Sequence, residues 1–539
     1  MSAKRPQYYE NTLEPVKIDR EGLSTVLKEL QSAVKHGVDL IQRGCPPADP
    51  ADYGSIYSGT PGVALTFLRL ERQAAALSSQ NAATLHDFRK LASERILPEG
   101  PEAYFQPGRL SPLESSYLGA IVLRILAACS LADTTKGGSG LSISGRDIAD
   151  LNEAVQLALQ HGHIVVSRGR NIGGDEVLYG RAGLLWAILN LREHVFDEKT
   201  REALQPVFKA VPELVDAIIN AGKKTAHEFA KAVGTEQALP LMWMWMEQHY
   251  LGAPTFTVLP TTNLHHLQAG ILTVLLGCKV EELDDGASRR HLPLIADTIT
   301  SLCRVCIANN GHLPSSMPPR ASSRRDSPLV QICHGAPGIL LLLATARRNE
   351  YLTSRFWQPE WDQAIHLATE RVWEEGLLSK GGSLCHGIAG NAWPLLLLHN
   401  CFEYDVEDMK QAKRLFSDPT PGAPDGTRHE LTGDYFLSRA LALLLEARET
   451  KPYSSGSRKT SREYRMPDRP YGLFEGLAGN VCAWAEACAV IEARLRKMEL
   501  EEEGKAAPGT FKKDEIFQEH MRRQLGFPGL GGYEPKGFL

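Results

Sequence analysis

The sequence contains no long apolar run, no dense cysteine framework and no strong excess of one charge. No uninterrupted apolar stretch reaches the roughly 18 residues of a membrane-spanning helix, and residues 1–10 lack the apolar segment of a secretory signal. The formal net charge is only −5 with both signs mixed, so the composition gives no sign of the basic surface that nucleic acid requires. The ten cysteines are scattered, unlike those of small secreted domains. These absences predict a cytoplasmic protein that neither spans a membrane nor binds nucleic acid.

Strand-like alternation of apolar and polar residues is also scarce, whereas helical periodicity recurs along the chain. Hydrophobic residues make up 43% of the sequence, which is ample for a large core. The segments with the helical period are 23–41, 151–166, 201–221, 292–308 and 364–373. The sequence therefore predicts an all-α protein.

A short glycine-rich phrase returns along the chain and leads each time into an apolar run. Clear copies occupy residues 59–62, 180–183, 335–338, 387–390 and 476–479, and weaker copies occupy 117–120 and 267–270. The glycines suit a tight turn and a close backbone approach immediately before a helix. Seven such helical hairpins predict a repeat architecture, and because the last unit is as apolar as the others, we expect closure into an α/α toroid.

We expect this toroid to occupy residues 51–495. An N-terminal segment with the first outer helix would precede it at 1–50. A charged segment and a tail that closes on the toroid would follow at 496–539.

A Cys-His pair directly precedes two copies of the phrase, Cys333-His334 before 335–338 and Cys385-His386 before 387–390. Zinc prefers thiolate and imidazole ligands, and a catalytic zinc site uses three protein ligands and keeps a fourth position open. Equivalent positions of neighbouring units face the same central space, so we expect Cys333, Cys385 and His386 to bind one zinc ion. For a single pair, burial in the core would be the better interpretation. Two pairs in register favour zinc.

Two histidines beside these phrases are candidates for proton transfer. His266 stands four residues before Gly270, as His334 does before Gly338. Imidazole is the most common general acid or base near neutral pH. A hydrogen-bonded core histidine is an equally good interpretation of each.

Charged residues also stand close to the phrases. The carboxylates of Asp175, Glu176 and Glu475 precede glycines and either face the same cavity or cap the following helix, which is the commoner role. Lys380 and Arg465 are candidates for anion contacts near the rim, although a charge of this kind is more often a solvated surface residue.

The motifs together resemble those of the LanC-like family, the eukaryotic relatives of bacterial lanthionine cyclases. The resemblance is carried by the Cys-His phrases at 333–338 and 385–391, by Asp-Glu-Val-Leu-Tyr-Gly-Arg-Ala-Gly at 175–183 and by Leu-Phe-Glu-Gly-Leu-Ala-Gly at 473–479. It implies a toroid with seven inner helices and one zinc ion on the Cys, Cys and His ligands named above. It also implies that zinc activates a thiol, which is glutathione in the eukaryotic relatives, for addition to dehydroalanine or dehydrobutyrine residues of proteins. A zinc-bound thiol is deprotonated, and the thiolate is the nucleophile.

The resemblance also implies roles for the other candidates. Lys380 and Arg465 would hold the carboxylates of glutathione. Glu176, with Asp175 as the alternative, would match the catalytic aspartate of the bacterial cyclases. His334 would orient the substrate or the metal.

The sequence departs from the family pattern at His266, the residue that would protonate the α-carbon after addition. A Pro- and Thr-rich insertion at 254–264 interrupts the motif, and Leu267 replaces the glycine expected after the histidine. Either the insertion bulges outward and His266 re-enters the site, or the chain is a non-catalytic scaffold that binds zinc and glutathione and regulates partner proteins.

Two further enzyme classes share the ring shape, namely zinc prenyltransferases and glycosidases built on α/α barrels. The Cys, Cys and His ligand set argues against the first class, and the conspicuous soft ligands argue against paired catalytic carboxylates. Fold alone does not assign function. We therefore expect a thioether-forming enzyme of the glutathione transferase type.

Overall fold

The prediction of a helical protein is confirmed. The computed structural model describes residues 6–47, 53–78, 86–98, 104–132, 143–167, 169–252, 268–318, 328–405, 410, 431–454, 462–505 and 507–539. Within these ranges, four short strands form two antiparallel pairs and the remaining regular structure is helical.

The first half of the chain contains α1 (Arg20–Gly44), α2 (Thr60–Gln73), α3 (Phe88–Ser93), α4 (Ser116–Ala132), α5 (Gly145–Gln160), β1 (Ile164–Ser167), β2 (Arg170–Gly173), α6 (Arg181–Leu191), α7 (Glu198–Lys209), α8 (Val211–Val233), β3 (His249–Tyr250) and α9 (Gln268–Leu276). The second half contains α10 (Val280–Leu283), α11 (Leu292–Ala308), β4 (Ser316–Met317), α12 (Ala336–Arg348), α13 (Glu350–Phe356), α14 (Pro359–Glu375), α15 (Ile388–Tyr404), α16 (Gly433–Glu446), α17 (Leu477–Glu502), α18 (Pro508–Phe511) and α19 (Glu515–Arg522). Short 3-10 turns lie at Ala74–Leu77, Thr235–Gln237 and Ala447–Glu449.

Seven apolar helices contact one another in a closed order. Helix α2 contacts α4, and the contacts continue through α6, α9, α12, α15 and α17, which returns to α2. Every residue of α6 and α9 is buried. A helix that is apolar all round belongs in the interior, so this cycle forms the core.

Amphipathic helices pack outside the cycle. Helix α1 packs against α17, α3 against α2, α5 against α4, α8 against α6, α14 against α12 and α16 against α15. Each outer helix therefore covers an inner helix of the neighbouring unit. None of the helices in the described ranges is both long and apolar enough to cross a membrane.

Two of the predicted helical segments have different bounds in the structure. The segment at 151–166 was expected to be one helix, but α5 ends at Gln160 and β1 follows after Gly162, because glycine favours the end of a helix. The segment at 201–221 contains two helices that meet at Ala210. A proline in the first turn of α8 accounts for the new start, since proline is well tolerated there.

Backbone hydrogen bonds link the segments immediately before five of the inner helices. The donors and acceptors are the residues three positions before each helix begins, and we call these residues the belt. The N–H of Cys333 donates to the carbonyl of Cys385 (3.3 Å), Cys385 to Phe474 (2.8 Å), Phe474 to Tyr57 (3.4 Å) and Tyr57 to Leu113 (2.9 Å). The belt fixes how the starts of neighbouring inner helices are aligned with one another. Side chains at equivalent positions before these helices therefore lie at the same height along the helix axes.

The second glycine of each phrase permits this close arrangement. A Cβ atom on Gly390 would lie 1.8 Å from the carbonyl oxygen of Leu384, six residues earlier, and Gly62, Gly183 and Gly479 would make the same contact at 2.0–2.1 Å. No side chain fits at such distances, so the first turn of the inner helix can approach the preceding loop only when glycine is present.

The C-terminal tail bonds to the inner helices. Arg69 of α2 donates to the carbonyls of Phe538 (3.2 Å) and Leu539 (3.0 Å). Glu486 of α17 accepts from the N–H groups of Leu525 (2.9 Å) and Gly526 (3.0 Å). The tail thereby connects helices that are neighbours in the closed order.

Candidate metal centre and carboxylate cluster

The structure brings the three predicted zinc ligands together. The Sγ atoms of Cys333 and Cys385 and a ring nitrogen of His386 all lie within 4.8 Å of one another. The belt hydrogen bond between Cys333 and Cys385 places the two sulfurs side by side at the starts of α12 and α15. Both cysteines are buried, whereas the histidine is half-buried.

This donor set fits zinc. Two sulfurs and one imidazole nitrogen are the ligands that zinc prefers, and donors bound to a tetrahedral zinc ion lie roughly 3.3–3.8 Å apart. The amide nitrogen of Gln331 donates to Cys333 Sγ (3.0 Å), and the Tyr57 side chain lies close enough to Cys385 to lower the pKa of its thiol. Such outer contacts orient the ligands of metal sites.

The electrostatics of the three ligands are consistent with a soft metal site. Burial disfavours the thiolate of Cys333, but hydrogen bonds with Cys385 and His386 outweigh burial and hold its pKa well below the ordinary value. Burial and then the neighbouring Cys333 raise the pKa of Cys385. Burial and the charge of Lys380 lower the pKa of His386, so the imidazole is neutral near neutral pH. A neutral imidazole is the form that binds a metal.

The two adjacent carboxylates that precede α6, Asp175 and Glu176, have different environments. Asp175 is ion-paired with Arg181 at 2.7 Å, and both side chains are buried. Glu176 accepts a hydrogen bond from the N–H of Tyr179 (2.9 Å) through one oxygen. Its other oxygen has no hydrogen-bond partner among the described residues. Burial raises the pKa of Glu176 well above its usual range.

Two more carboxyl groups share this region. Glu114 accepts a hydrogen bond from the hydroxyl of Ser55 (2.8 Å), and burial raises its pKa to about 7. Burial, reinforced by the charge of Asp468, also raises the pKa of Glu475 to about 7. The charge of Glu114 contributes to the raised pKa of both Glu475 and Glu176, so the three carboxyls form one interacting cluster.

An aromatic stack borders this carboxylate cluster. The ring of Tyr179 is stacked on Trp245 with centroids 4.8 Å apart. The guanidinium of Arg109 covers the Tyr179 ring at 5.0 Å from its centroid, and its charge partly offsets the raised pKa of Glu114.

The predicted anion contacts, Lys380 and Arg465, lie on neighbouring backbone segments. The N–H of Arg465 donates to the carbonyl of Ser379 (3.0 Å), the residue before Lys380. The charge of Lys380 acts on Cys333 and His386, whereas Arg465 is exposed. Lys380 is therefore the cation close to the ligand group, and Arg465 is held on the neighbouring backbone segment.

The remaining predicted histidines are placed differently. His334 is buried beside the ligands, and its backbone pairs with that of Gln331 through two hydrogen bonds of 2.9 Å. His266 and the insertion at 254–264 lie outside the described residues.

A second group of metal-binding residue types occurs at His399, Glu403 and Asp434. Cations already pair with its carboxylates, since Lys497 lies 2.7 Å from Glu403 and Arg494 lies 3.2 Å from Asp434. We therefore interpret it as an ion-pair network.

Sequence reasoning missed Gln331, Tyr57 and Glu114. The signal that could have found them is the register, because Tyr57 occupies the same belt position as Cys385, and Glu114 follows its belt residue as His386 does. Glu114 was not identified because the copy of the glycine phrase that follows it, at 117–120, is one of the weaker copies.

Comparison with known proteins gives independent information. The family model described as lanthionine synthetase C-like protein matches residues 266–420, which include all three ligand residues. Glutathione S-transferase LANCL1 of Danio rerio is 24% identical over 479 residues, covering 87% of this chain and 91% of the relative. LanC-like protein GCL1 of Arabidopsis thaliana is 28% identical over 327 residues, covering 60% of this chain and 58% of the relative.

Proposed function

Because the chain belongs to the lanthionine synthetase C-like family, we propose that it is an enzyme that adds the thiol of glutathione to dehydroalanine or dehydrobutyrine residues of proteins. The observation that carries the proposal is the convergence of Cys333, Cys385 and His386 within 4.8 Å. The zebrafish relative is named a glutathione S-transferase, which supports glutathione as the thiol.

The three convergent residues would hold one zinc ion. When bound, zinc supplies a Lewis acid that lowers the pKa of a thiol, and the thiolate is the reactive form. Gln331 keeps the sulfur of Cys333 oriented through its hydrogen bond, and Tyr57 acts on the neighbouring thiol of Cys385. The two cysteines are buried, and burial in a medium of low dielectric constant strengthens the electrostatic interactions around them.

Positive groups would bind the anionic end of glutathione. In this proposal Lys380 and Arg465 hold its carboxylates at the entrance. Glycines cap the N-termini of α2, α6, α12, α15 and α17 without a side-chain hydrogen bond. The positive ends of these helix dipoles therefore add to the field that favours an anion.

The α-carbon of the acceptor residue takes up a proton after the thiolate has attacked the β-carbon. By resemblance to the family, His266 is a candidate donor and His334 orients the substrate or metal. Glu176 is the catalytic carboxylate in this proposal, since Asp175 is engaged by Arg181.

We also propose that the closed order of inner helices is an α/α toroid spanning residues 51–495. Residues 1–50 would supply the first outer helix, and residues 496–539 would close on the toroid. The contacts that return from α17 to α2 support this organisation.

Mass spectrometry of a dehydroalanine peptide incubated with purified protein, zinc and glutathione tests the function. We expect a glutathione adduct with the wild-type chain and at least a roughly 100-fold slower reaction with Cys385→Ala, because a metal ligand is lost. Bound zinc should fall from one per chain to near zero in the same variant.

Cys306→Ala is the matched control, because Cys306 is also buried and free but lies in α11. It should retain both zinc and activity. A wild-type protein that binds zinc and glutathione but forms no adduct would show that the chain is a binding scaffold.

A further inference from the structure

Glu114 differs from the other carboxyls of its cluster in being accessible. Its side chain is half-buried, whereas Glu176 and Glu475 are only 2% and 3% exposed. Ser55 donates a hydrogen bond to one of its oxygens at 2.8 Å, which fixes the carboxyl and leaves its other oxygen for a ligand.

The order of inner helices places Glu114 across the cycle from the ligands. Glu114 directly precedes the segment that begins α4, while Cys333 and His386 precede α12 and α15. Along the closed order of inner helices, α12 is the third helix from α4 in one direction, and α15 is the third helix from α4 in the other direction. The belt bond between Tyr57 and Leu113 keeps Glu114 at the level of the ligands. A substrate between the two sides would meet the thiol on one side and Glu114 on the other.

We propose that Glu114, rather than His266, donates the proton to the α-carbon of the acceptor residue, an inference that rests on the proposed function. The thiolate sulfur forms a bond with the β-carbon, and the electron pair of the carbon–carbon double bond moves to the α-carbon. The O–H bond of Glu114 then breaks as the α-carbon–hydrogen bond forms. The proton released when the thiol ionises restores the carboxyl, so the reaction consumes no external acid.

The surroundings of Glu114 suit this step. A general acid is most effective when its pKa lies near the working pH, and burial brings the pKa of Glu114 to about 7. The charged and titratable groups that act on it or feel its charge are Glu176, Tyr179, Glu475, Arg109 and Arg469. Burial favours the protonated form of Glu114, and the hydrogen bond from Ser55 and the two arginines keep its pKa from rising further.

The test compares wild type with Glu114→Gln and Glu114→Asp in the glutathione-adduct assay. We expect Glu114→Gln to slow adduct formation roughly 100-fold or more, in the range of general acid catalysis, while zinc content and glutathione affinity stay unchanged. The product should become a mixture of configurations at the α-carbon, because water then protonates either face. Glu114→Asp should restore part of the rate and the selectivity.

The dependence of the adduct-forming rate on pH distinguishes a proton donor from a residue with only a structural role, because loss of a structural residue would not change the shape of this dependence. The wild-type rate should fall as pH rises above about 7, because the donor loses its proton, and Glu114→Gln should lack this fall. Glu94→Gln, on an exposed carboxylate, should behave as wild type.

The possible failures can be told apart. Unchanged rate, configuration and pH profile in Glu114→Gln would overturn the donor role while the wild-type adduct upheld the proposed function. Loss of selectivity in His266→Ala but not in Glu114→Gln would assign the proton to the histidine. A wild-type chain that forms no adduct would overturn the proposed function and the donor role together.

Discussion

A residue's place relative to the start of its inner helix decides which side chains meet. Cys333 and Cys385 occupy the same belt position, so their convergence could be predicted from two Cys-His pairs in one repeated phrase. The hydrogen bond from Gln331 to Cys333 could not be predicted, because it depends on the fold of the loop before the belt. The proximity of Tyr57 to Cys385 could not be predicted either, since an aromatic residue at a belt position is usually a core residue.

Gln331 should matter for metal affinity although it is not a ligand. We expect Gln331→Ala to weaken zinc binding about 10- to 100-fold, because loss of an outer hydrogen bond frees the sulfur to reorient. Competition with a chromophoric chelator measures the affinity. Gln237→Ala, on an exposed glutamine, serves as the control, and equal affinities in the two variants would show that the Gln331 contact does not orient the ligand.

At the scale of elements, the glycine phrase predicted where the inner helices begin, and α12, α15 and α17 begin within it. The bounds of outer elements were less predictable. Apolar periodicity continued across the junctions at Gln160 and Ala210. After Ala210 the second helix keeps its apolar residues buried, whereas in β1 Val165 is buried but Ile164 and Val166 are exposed. Periodicity therefore identifies the buried face of a helix but not the break between consecutive elements.

Gly390→Ala should destabilise the protein strongly. The added methyl group would lie 1.8 Å from the carbonyl of Leu384, so α15 must move away from the loop that carries Cys385. We expect a loss of about 3 kcal/mol or more in the free energy of unfolding, as for other severe backbone clashes, measured by chemical denaturation.

Gly145→Ala is the matched control, because a methyl group there meets nothing within 4 Å. It lies at the start of α5 and should stabilise the chain by roughly 0.4–1 kcal/mol through the unfolded state. Equal stability of the two alanine variants would contradict the close approach at Gly390.

At the scale of the whole molecule, closure depends on contacts between residues that are far apart in sequence. Helices α1 and α17 pack together, and Gln73 of α2 donates to Glu486 of α17 at 2.9 Å. The repeat predicted closure in outline. It could not predict how the tail bonds to α2 and α17, because those contacts use single polar residues, Arg69 and Glu486, inside apolar helices.

Glu486→Ala should loosen the tail and destabilise the closed order. The substitution leaves the buried N–H groups of Leu525 and Gly526 without their acceptor, and each unsatisfied group costs about 1–3 kcal/mol. We expect a lower unfolding temperature and faster proteolysis after residue 524. Glu515→Ala, on the exposed start of α19, should stay near wild type, and equal protection of the tail in both variants would contradict this anchoring role.

Zinc X-ray absorption of the purified protein, before and after addition of glutathione, tests the central claim most directly. The account predicts two sulfurs at about 2.3 Å and one imidazole nitrogen at about 2.0–2.1 Å from zinc, and a third sulfur once glutathione is bound. A first shell of nitrogen and oxygen alone, or a sulfur count that glutathione leaves unchanged, would contradict a thiol-activating centre at Cys333, Cys385 and His386.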